Sequence, residues 1–188
     1  MSIRQNFARL ILKLFRWQTR VELPDDSKFI IIGAPHTSNW DLPLGLLCLW
    51  AHGKGLSWLA KKQIFTGPLY YLFTALGGIP VDRSAPHGLT EQVAGMFRQR
   101  DELILGITPE GTRSRTDYWK TGFYTIALNA GVPICFGFVD FPSRTVGFME
   151  RLEPSGDIEK DFQTIAAFYA DKRGKHPDLQ GPVRPRPR

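Results

Sequence analysis

A histidine and an aspartate five positions apart, His36 and Asp41, are the residues of this chain best suited to move a proton. They lie in Pro35-His36-Thr37-Ser38-Asn39-Trp40-Asp41, between the apolar run Phe29-Ile30-Ile31-Ile32 and a second apolar run that begins at Leu42. These flanks predict a strand, a turn and a helix. Pro43 has no N–H, so it belongs in the first turn of that helix, which starts no earlier than about Asn39. On one continuous helix a gap of five would hold the two side chains ~140° apart. With His36 in the turn and Asp41 at the helix start, they meet. An aspartate bonded to one imidazole nitrogen fixes the tautomer and leaves the other nitrogen as a base. Taken alone, the spacing also suits an N-capping segment with an incidental histidine.

Three further blocks keep company with this one: Gly78-Ile79-Pro80-Val81-Asp82-Arg83, Pro109-Glu110-Gly111-Thr112-Arg113-Ser114 and Gly131-Val132-Pro133-Ile134. Arg83 follows a short strand and offers a rigid, always-ionised fork that fits a phosphate monoester, or else pairs with Asp82 or Glu110. Gly111 permits a turn that would strain other residues, which lets Glu110 and Arg113 point into one place. Gly106 and Gly111 mimic P-loop spacing, but Thr112 stands where the lysine should be. Lys61 and Lys62 follow a strand end and either add to a phosphate-binding field or are simply solvated. Val132-Pro133-Ile134 has no titratable group; it shapes a wall of the site or packs the core.

In this order and at these spacings, the four blocks resemble the glycerolipid acyltransferase family, the lysophosphatidic acid acyltransferase-like enzymes, over roughly residues 28–140. The resemblance implies transfer of a fatty acyl group from an acyl thioester to the hydroxyl of a lysophospholipid such as 1-acylglycerol-3-phosphate. Acyl-CoA or acyl-carrier protein would be the co-substrate, with no other cofactor and no metal. It makes His36 the general base and Asp41 its orienting partner. It gives Arg83 the acceptor phosphate and Glu110 the glycerol portion, in one binding block with Gly111 and Thr112. Arg113 would add positive charge beside Arg83, and Pro133 would lie near the acyl chain or thioester.

The chemistry needs a base, a group that orients it, and donors for the developing oxyanion. The acceptor hydroxyl attacks directly, so no nucleophilic side chain is required. Ser38 would be the covalent alternative, but no G-x-S-x-G elbow surrounds it. Backbone N–H groups near the helix start after Asn39 are the expected oxyanion donors. Past the fourth block the resemblance fades, so the acceptor could be another lysolipid, for example one with an amino-acid headgroup. A thioesterase would use the same base on water, yet would have no use for a phosphate clamp. A non-catalytic lipid-binding protein would have no use for an oriented base.

His52, His87 and His176 lack an acid at useful spacing, and His52 beside glycines suits a helix cap. No cluster of His, Cys and carboxylates suggests a metal. Cys48 and Cys135 fall in apolar runs and read as buried, inert thiols. With no signal-like start they fit a reducing compartment, and the protein is expected at the cytoplasmic face of a membrane.

The length, 188 residues, suits one domain with a real core. The net charge of +6 belongs to the two ends. Arg4, Arg9, Lys13, Arg16 and Arg20 lie in residues 1–20, and Arg184, Arg186 and Arg188 in the tail, with no acid in either segment. The remaining chain has 16 basic residues against 18 acidic ones, which argues against a nucleic-acid-binding face. Residues 1–20 read as a basic amphipathic helix, with Ile3, Phe7, Leu10, Ile11 and Leu14 on one side and Phe15 and Trp17 at its edges. It is too short to span a bilayer and suits the headgroup plane, or else it packs on its own domain.

Residues 21–173 are expected to form the catalytic domain. Strands over 28–34, 56–60, 79–82, 103–108, 133–140 and 145–150 alternate with helices over 42–51, 69–76, 89–99, 118–129 and 158–169. That order predicts an α/β layered fold with a largely parallel central sheet flanked by helices, and a site in the loops after the strands. Residues 174–188, rich in Pro and Arg, read as a disordered or extended tail.

Overall fold

The computed structural model describes residues 2–82 and 88–187. A seven-stranded sheet runs through it in the order β1-β7-β6-β2-β5-β3-β4. Its strands are β1 (Gln18–Val21), β2 (Lys28–Gly33), β3 (Ser57–Lys61), β4 (Gly78–Val81), β5 (Leu103–Ile107), β6 (Ile134–Asp140) and β7 (Thr145–Leu152). Every pairing is parallel except the β6–β7 hairpin. The helices are α1 (Ile3–Leu14), α2 (Asp41–Ala51), α3 (Pro68–Ala75), α4 (Gly88–Gln99), α5 (Gly122–Ala130) and α6 (Ile158–Tyr169). The α/β layering expected from the sequence is therefore present.

β2 is the middle of the sheet, and Phe29, Ile30, Ile31 and Ile32 are all buried because both faces are covered. Alternate residues feed two cores. Ile30, Ile32, Leu105, Ile134 and Phe136 pack under α4, α5 and α6. Phe29, Ile31, Cys135, Val146 and Phe148 pack under α1 and α2. Burial pushes the thiols of Cys48 and Cys135 up to about 12, so both stay protonated and inert.

This topology creates a crevice. β2 and β5 are neighbours, but β2 leads into α2 on one face and β5 leads into α5 on the other. The two outgoing loops diverge, and the gap at the carboxyl ends of the strands is where open α/β sheets hold their ligands.

Two segments differ from expectation. The first helix stops at Leu14, and residues 18–20, assigned above to it, belong instead to the edge strand β1 along β7. That strand, Gln-Thr-Arg-Val, is half exposed and has no apolar run to announce it. α5 begins at Gly122 rather than near 118, because Trp119 N–H donates to Arg184 O and Lys120 N–H to Pro109 O. Those donors are thereby diverted from a helical turn. The tail, expected to be disordered or extended, is extended: it runs back across the domain and is held at both ends of its path.

Candidate active site

The His36–Asp41 turn lies between β2 and α2, with Asp41 the first residue of the helix. His36 Nδ1 is 3.0 Å from Asp41 Oδ2. The same oxygen accepts the N–H groups of Thr37 at 3.0 Å and Ser38 at 2.9 Å. Three donors on one carboxylate oxygen wind the turn around Asp41 and hold the imidazole with its proton on Nδ1, leaving Nε2 as the lone-pair nitrogen. The remaining oxygen, Oδ1, is buried without a partner among the described residues. At the helix start, where oxyanion donors are expected, the N–H groups of Trp40 and Asp41 donate to Ser38 Oγ and Ser38 O.

A second carboxylate supports the turn from within. Glu110 Oε1 accepts the N–H of His36 at 2.9 Å, while Oε2 is buried and has no partner among the described residues. Burial raises the Glu110 pKa above the usual carboxylate range, and the bond from His36 offsets part of that rise. Glu110 does not line the cavity described next, so its position is that of a brace for His36 rather than of a contact for glycerol.

The cavity measures about 820 Å³ and opens at the carboxyl ends of the strands. His36, Asn39 and Asp41 are on its wall. One lobe follows the α2 face of the sheet, past Ile31, Gly33, Gly106, Gly137 and Phe148. Glycines on three adjacent strands leave this floor low; a Cβ on Gly137 would come within 2.9 Å of Ile31 Cγ2. The other lobe reaches Leu59, Ile107, Phe123 and Ile126 on the opposite face. Lys61, Arg113 and Lys120 put positive charge on this mostly apolar lining.

Gly111 has φ +67°, as the expected turn requires, and a Cβ there would lie 2.7 Å from Lys120 Nζ. The missing side chain thus makes room for Lys120, a residue not anticipated from the sequence. Thr112 is exposed and bonds Ser114 N–H through Oγ1, away from the cavity. Pro133 lies at the amino end of β6, where its carbonyl accepts Ile30 N–H. His36 follows the carboxyl end of β2, so Pro133 is at the far end of the sheet, and its role there is packing. Arg83 and His87 lie outside the described residues. His52 closes α2 through Nδ1, 2.9 Å from Cys48 O, and His176 enters the site only through its backbone.

That backbone contact belongs to the tail. Gly174 is buried against Thr37 and Pro35, and His176 N–H donates to Thr37 Oγ1 at 3.2 Å. Lys175 Nζ stands 5.9 Å from the Trp40 ring. Beyond the short turn at Pro177–Leu179, Arg115 donates to Gln180 O, and Arg184 donates to Asp117 O while stacking on Tyr118 at 4.9 Å. The tail is a strap over both loops of the site. Beneath them, Tyr169 of α6 is buried with its hydroxyl 2.8 Å from Ile32 O and 3.0 Å from Gly137 O. Burial and the nearby Glu110 carboxyl hold that phenol in its neutral form, well above its usual pKa.

The acyltransferase family model matches residues 15–135, well over half of the chain and all of the cavity wall up to β5. The chain belongs to the acyltransferase family. Its fold is similar to the crystal structure of the 1-acyl-sn-glycerophosphate (LPA) acyltransferase PlsC from Thermotoga maritima, at TM-score 0.58 and 18% identity. The likeness covers 86% of this chain and 72% of that one, and at this identity it is a likeness of fold. No curated protein sequence matches. Among the described residues no helix of this acyltransferase is long and apolar enough to cross a membrane.

Proposed function

We propose that this acyltransferase moves a fatty acyl group from acyl-CoA or acyl-carrier protein to the hydroxyl of a lysophospholipid at the membrane surface. The observation that carries the reading is the 3.0 Å His36–Asp41 pair on the wall of a largely apolar cavity that also presents three cations. The acceptor oxygen attacks the thioester carbonyl carbon as His36 Nε2 takes its proton. A tetrahedral oxyanion forms, the C–S bond breaks, and the departing thiolate recovers the proton from His36. Lys61, Arg113 and Lys120 supply the charge that an acceptor phosphate needs, and Arg83 would add to it as the family resemblance implies. The apolar lobes suit an acyl chain, and the cavity is within the usual size range of ligand sites.

Helix α1 supports the surface location. Its Ala8 and Leu12 are buried against α2, while Ile3 is 90%, Leu10 63% and Leu14 68% exposed. The apolar stripe therefore faces outward, and Lys13 and Arg16 are exposed too, as in helices that lie in the headgroup plane.

The test is turnover of a long-chain acyl-CoA with 1-acylglycerol-3-phosphate by the purified protein, following thiol release and the diacyl product. His36→Ala should lower turnover by about 10²–10⁴-fold with the fold intact, and Asp41→Asn should also lower it strongly by misassigning the tautomer. Near-normal turnover by His36→Ala would overturn the mechanism. Thiol release with free fatty acid and no dependence on acceptor would make the protein a thioesterase.

A further inference from the structure

We propose that α3, with the turn leading into it, is a second membrane-docking surface, separate from α1, that seats the mouth of the cavity on an anionic bilayer. The proposal rests on the lysolipid reading above for its purpose, though not for its evidence.

In α3, seven of eight residues are exposed and none is fully buried. Leu69 and Tyr70 are each 46% exposed, Tyr71 76% and Leu72 51%. A helix this short has little stability of its own in water. Its fastening is narrow: the Phe73 ring stacks edge-on with Trp58 and with Phe65, each at 5.8 Å, and Trp58 Nε1 donates to Leu76 O. Tyr70 also meets the Phe65 ring edge-on at 6.4 Å, while Leu69, Tyr71 and Leu72 remain exposed.

The composition says what would cover it. From Gln63 through Val81 there is no charged residue, and immediately before that stretch stand Lys61 and Lys62, both exposed. Leucine and tyrosine bounded by lysine is the pattern of a segment that sinks into the acyl–headgroup boundary and keeps its cations on lipid phosphates. Tyrosine suits that depth because its ring is apolar and its hydroxyl stays hydrated.

Position points the same way. Ile64, 40% exposed, and Lys61 line the cavity, so the patch is continuous with the entrance to the site. A lipid leaving the bilayer beside α3 would reach His36 without crossing water. A second copy of the chain is a poorer occupant. The neighbouring edge strand β4 carries Pro80, which has no N–H to offer an added strand, and the flanking lysines would face each other.

The experiment is flotation of the full chain with vesicles of phosphatidylglycerol and phosphatidylcholine, comparing wild type with Tyr71→Glu/Leu72→Glu. Neither residue lines the cavity, and both are exposed, so the fold should survive. If the glutamates perturb folding, Tyr71→Ser/Leu72→Ser carries the same test. Vesicle binding should fall about ten- to hundredfold in either variant. Both proteins should be monomeric and should acylate a short-chain, water-soluble lysolipid equally. Only the wild type should act well on bilayer-embedded lysolipid. Equal flotation of variant and wild type would overturn the proposal, and so would a wild-type dimer that the substitutions disperse. Flotation reads no chemistry: α3-dependent binding by a protein with no acyl transfer would support docking while sinking the lysolipid reading.

Discussion

Residues 1–20 carry five basic side chains and no acid, residues 184–188 carry three and no acid, and the two ends meet the domain in opposite ways. α1 puts Ala8 and Leu12 inward and leaves its apolar stripe outside. Even so, two of its cations turn back to the protein: Arg4 lies 4.1 Å over the Trp50 ring and Arg9 Nε donates to Ala51 O. Trp17, expected at the membrane edge of the helix, stacks edge-on with Phe141 at 5.2 Å. The tail, by contrast, packs Val183 on the core and is otherwise held by polar contacts of its backbone and of the Gln180 and Arg184 side chains. Its glycines mark the points of closest approach. A Cβ on Gly181 would be 1.9 Å from Thr116 O, and one on Gly174 2.5 Å from Thr37 Oγ1. Composition alone cannot separate these cases, because Gly, Pro and Arg suit both a solvated coil and a strap pressed against another backbone.

The comparison can be broken most forcefully at the tail. Gly181→Val should dislodge the strap from the loop at Thr116 and let both site loops drift. Since misplacement of about 1 Å costs about 10²-fold in rate, turnover of a water-soluble substrate should fall by that order. A truncation before Gly174 should do the same, and wild-type turnover in both proteins would reduce the strap to decoration. The next effect in size is at α1. Leu12→Ala should cost about 2–5 kcal/mol of stability in urea unfolding, because a buried leucine leaves a cavity. Leu14→Ala, on the exposed side of the same helix, should stay within about 0.5 kcal/mol and change vesicle binding instead.

Local pattern made most of this architecture readable, and distance in the chain hid the rest. β2, β5 and β6 announce themselves as unbroken apolar runs because they are covered on both faces. The polar edge strand β1 has no such run and takes its pairing from β7, far away in sequence. The His36–Asp41 pair is legible because it closes within one turn. The bond from His36 N–H to Glu110 spans 74 residues, and no spacing rule carries it. Lys120 reaches Gly111 only because the chain before α5 is drawn aside by the tail at Trp119 and by Pro109 at Lys120 itself. The outward-facing apolar side of α1 is visible as periodicity, but which of its cations the domain recruits is not.

A third test separates the strap, which holds the His36–Asp41 turn from outside, from Glu110, which holds it from inside. The Glu110 carboxyl is raised above its ordinary value of 4.5 by burial. When an acid's folded pKa exceeds its unfolded one, the native state binds more protons between the two values. Stability therefore falls as pH rises through that window and is level on either side. Glu110→Gln keeps an acceptor oxygen for His36 N–H and removes the titration. Its stability relative to wild type should climb as pH rises from 4.5 through the raised folded value, read as urea midpoints across a pH series. Parallel midpoints for the two proteins at every pH would show that Glu110 is not the strained buried acid its surroundings imply. A variant lacking the strap keeps this carboxyl and should retain a fall in stability with rising pH, which Glu110→Gln abolishes.

The smallest effects come from removing one charge at each end, and they sharpen the contrast most finely. Lys13 is exposed at the last turn of α1, whereas Arg184 is bound to Asp117 O and lies over the Tyr118 ring. Lys13→Ala should leave the isolated protein unchanged and weaken binding to anionic vesicles by about 1 kcal/mol, roughly fivefold. Added salt should erase that difference, because the interaction reaches only about one Debye length. Arg184→Ala should leave vesicle binding alone. It removes one hydrogen bond and one cation–π contact, together about 1–2 kcal/mol, from the outer fastening of the strap. That loss should speed hydrogen exchange at the Trp119 amide, whose acceptor is Arg184 O, about five- to thirtyfold and with little response to salt. If Arg184→Ala instead weakened vesicle binding in a salt-dependent way, the tail would be a second solvated cationic arm, and the opposition between the two ends would disappear.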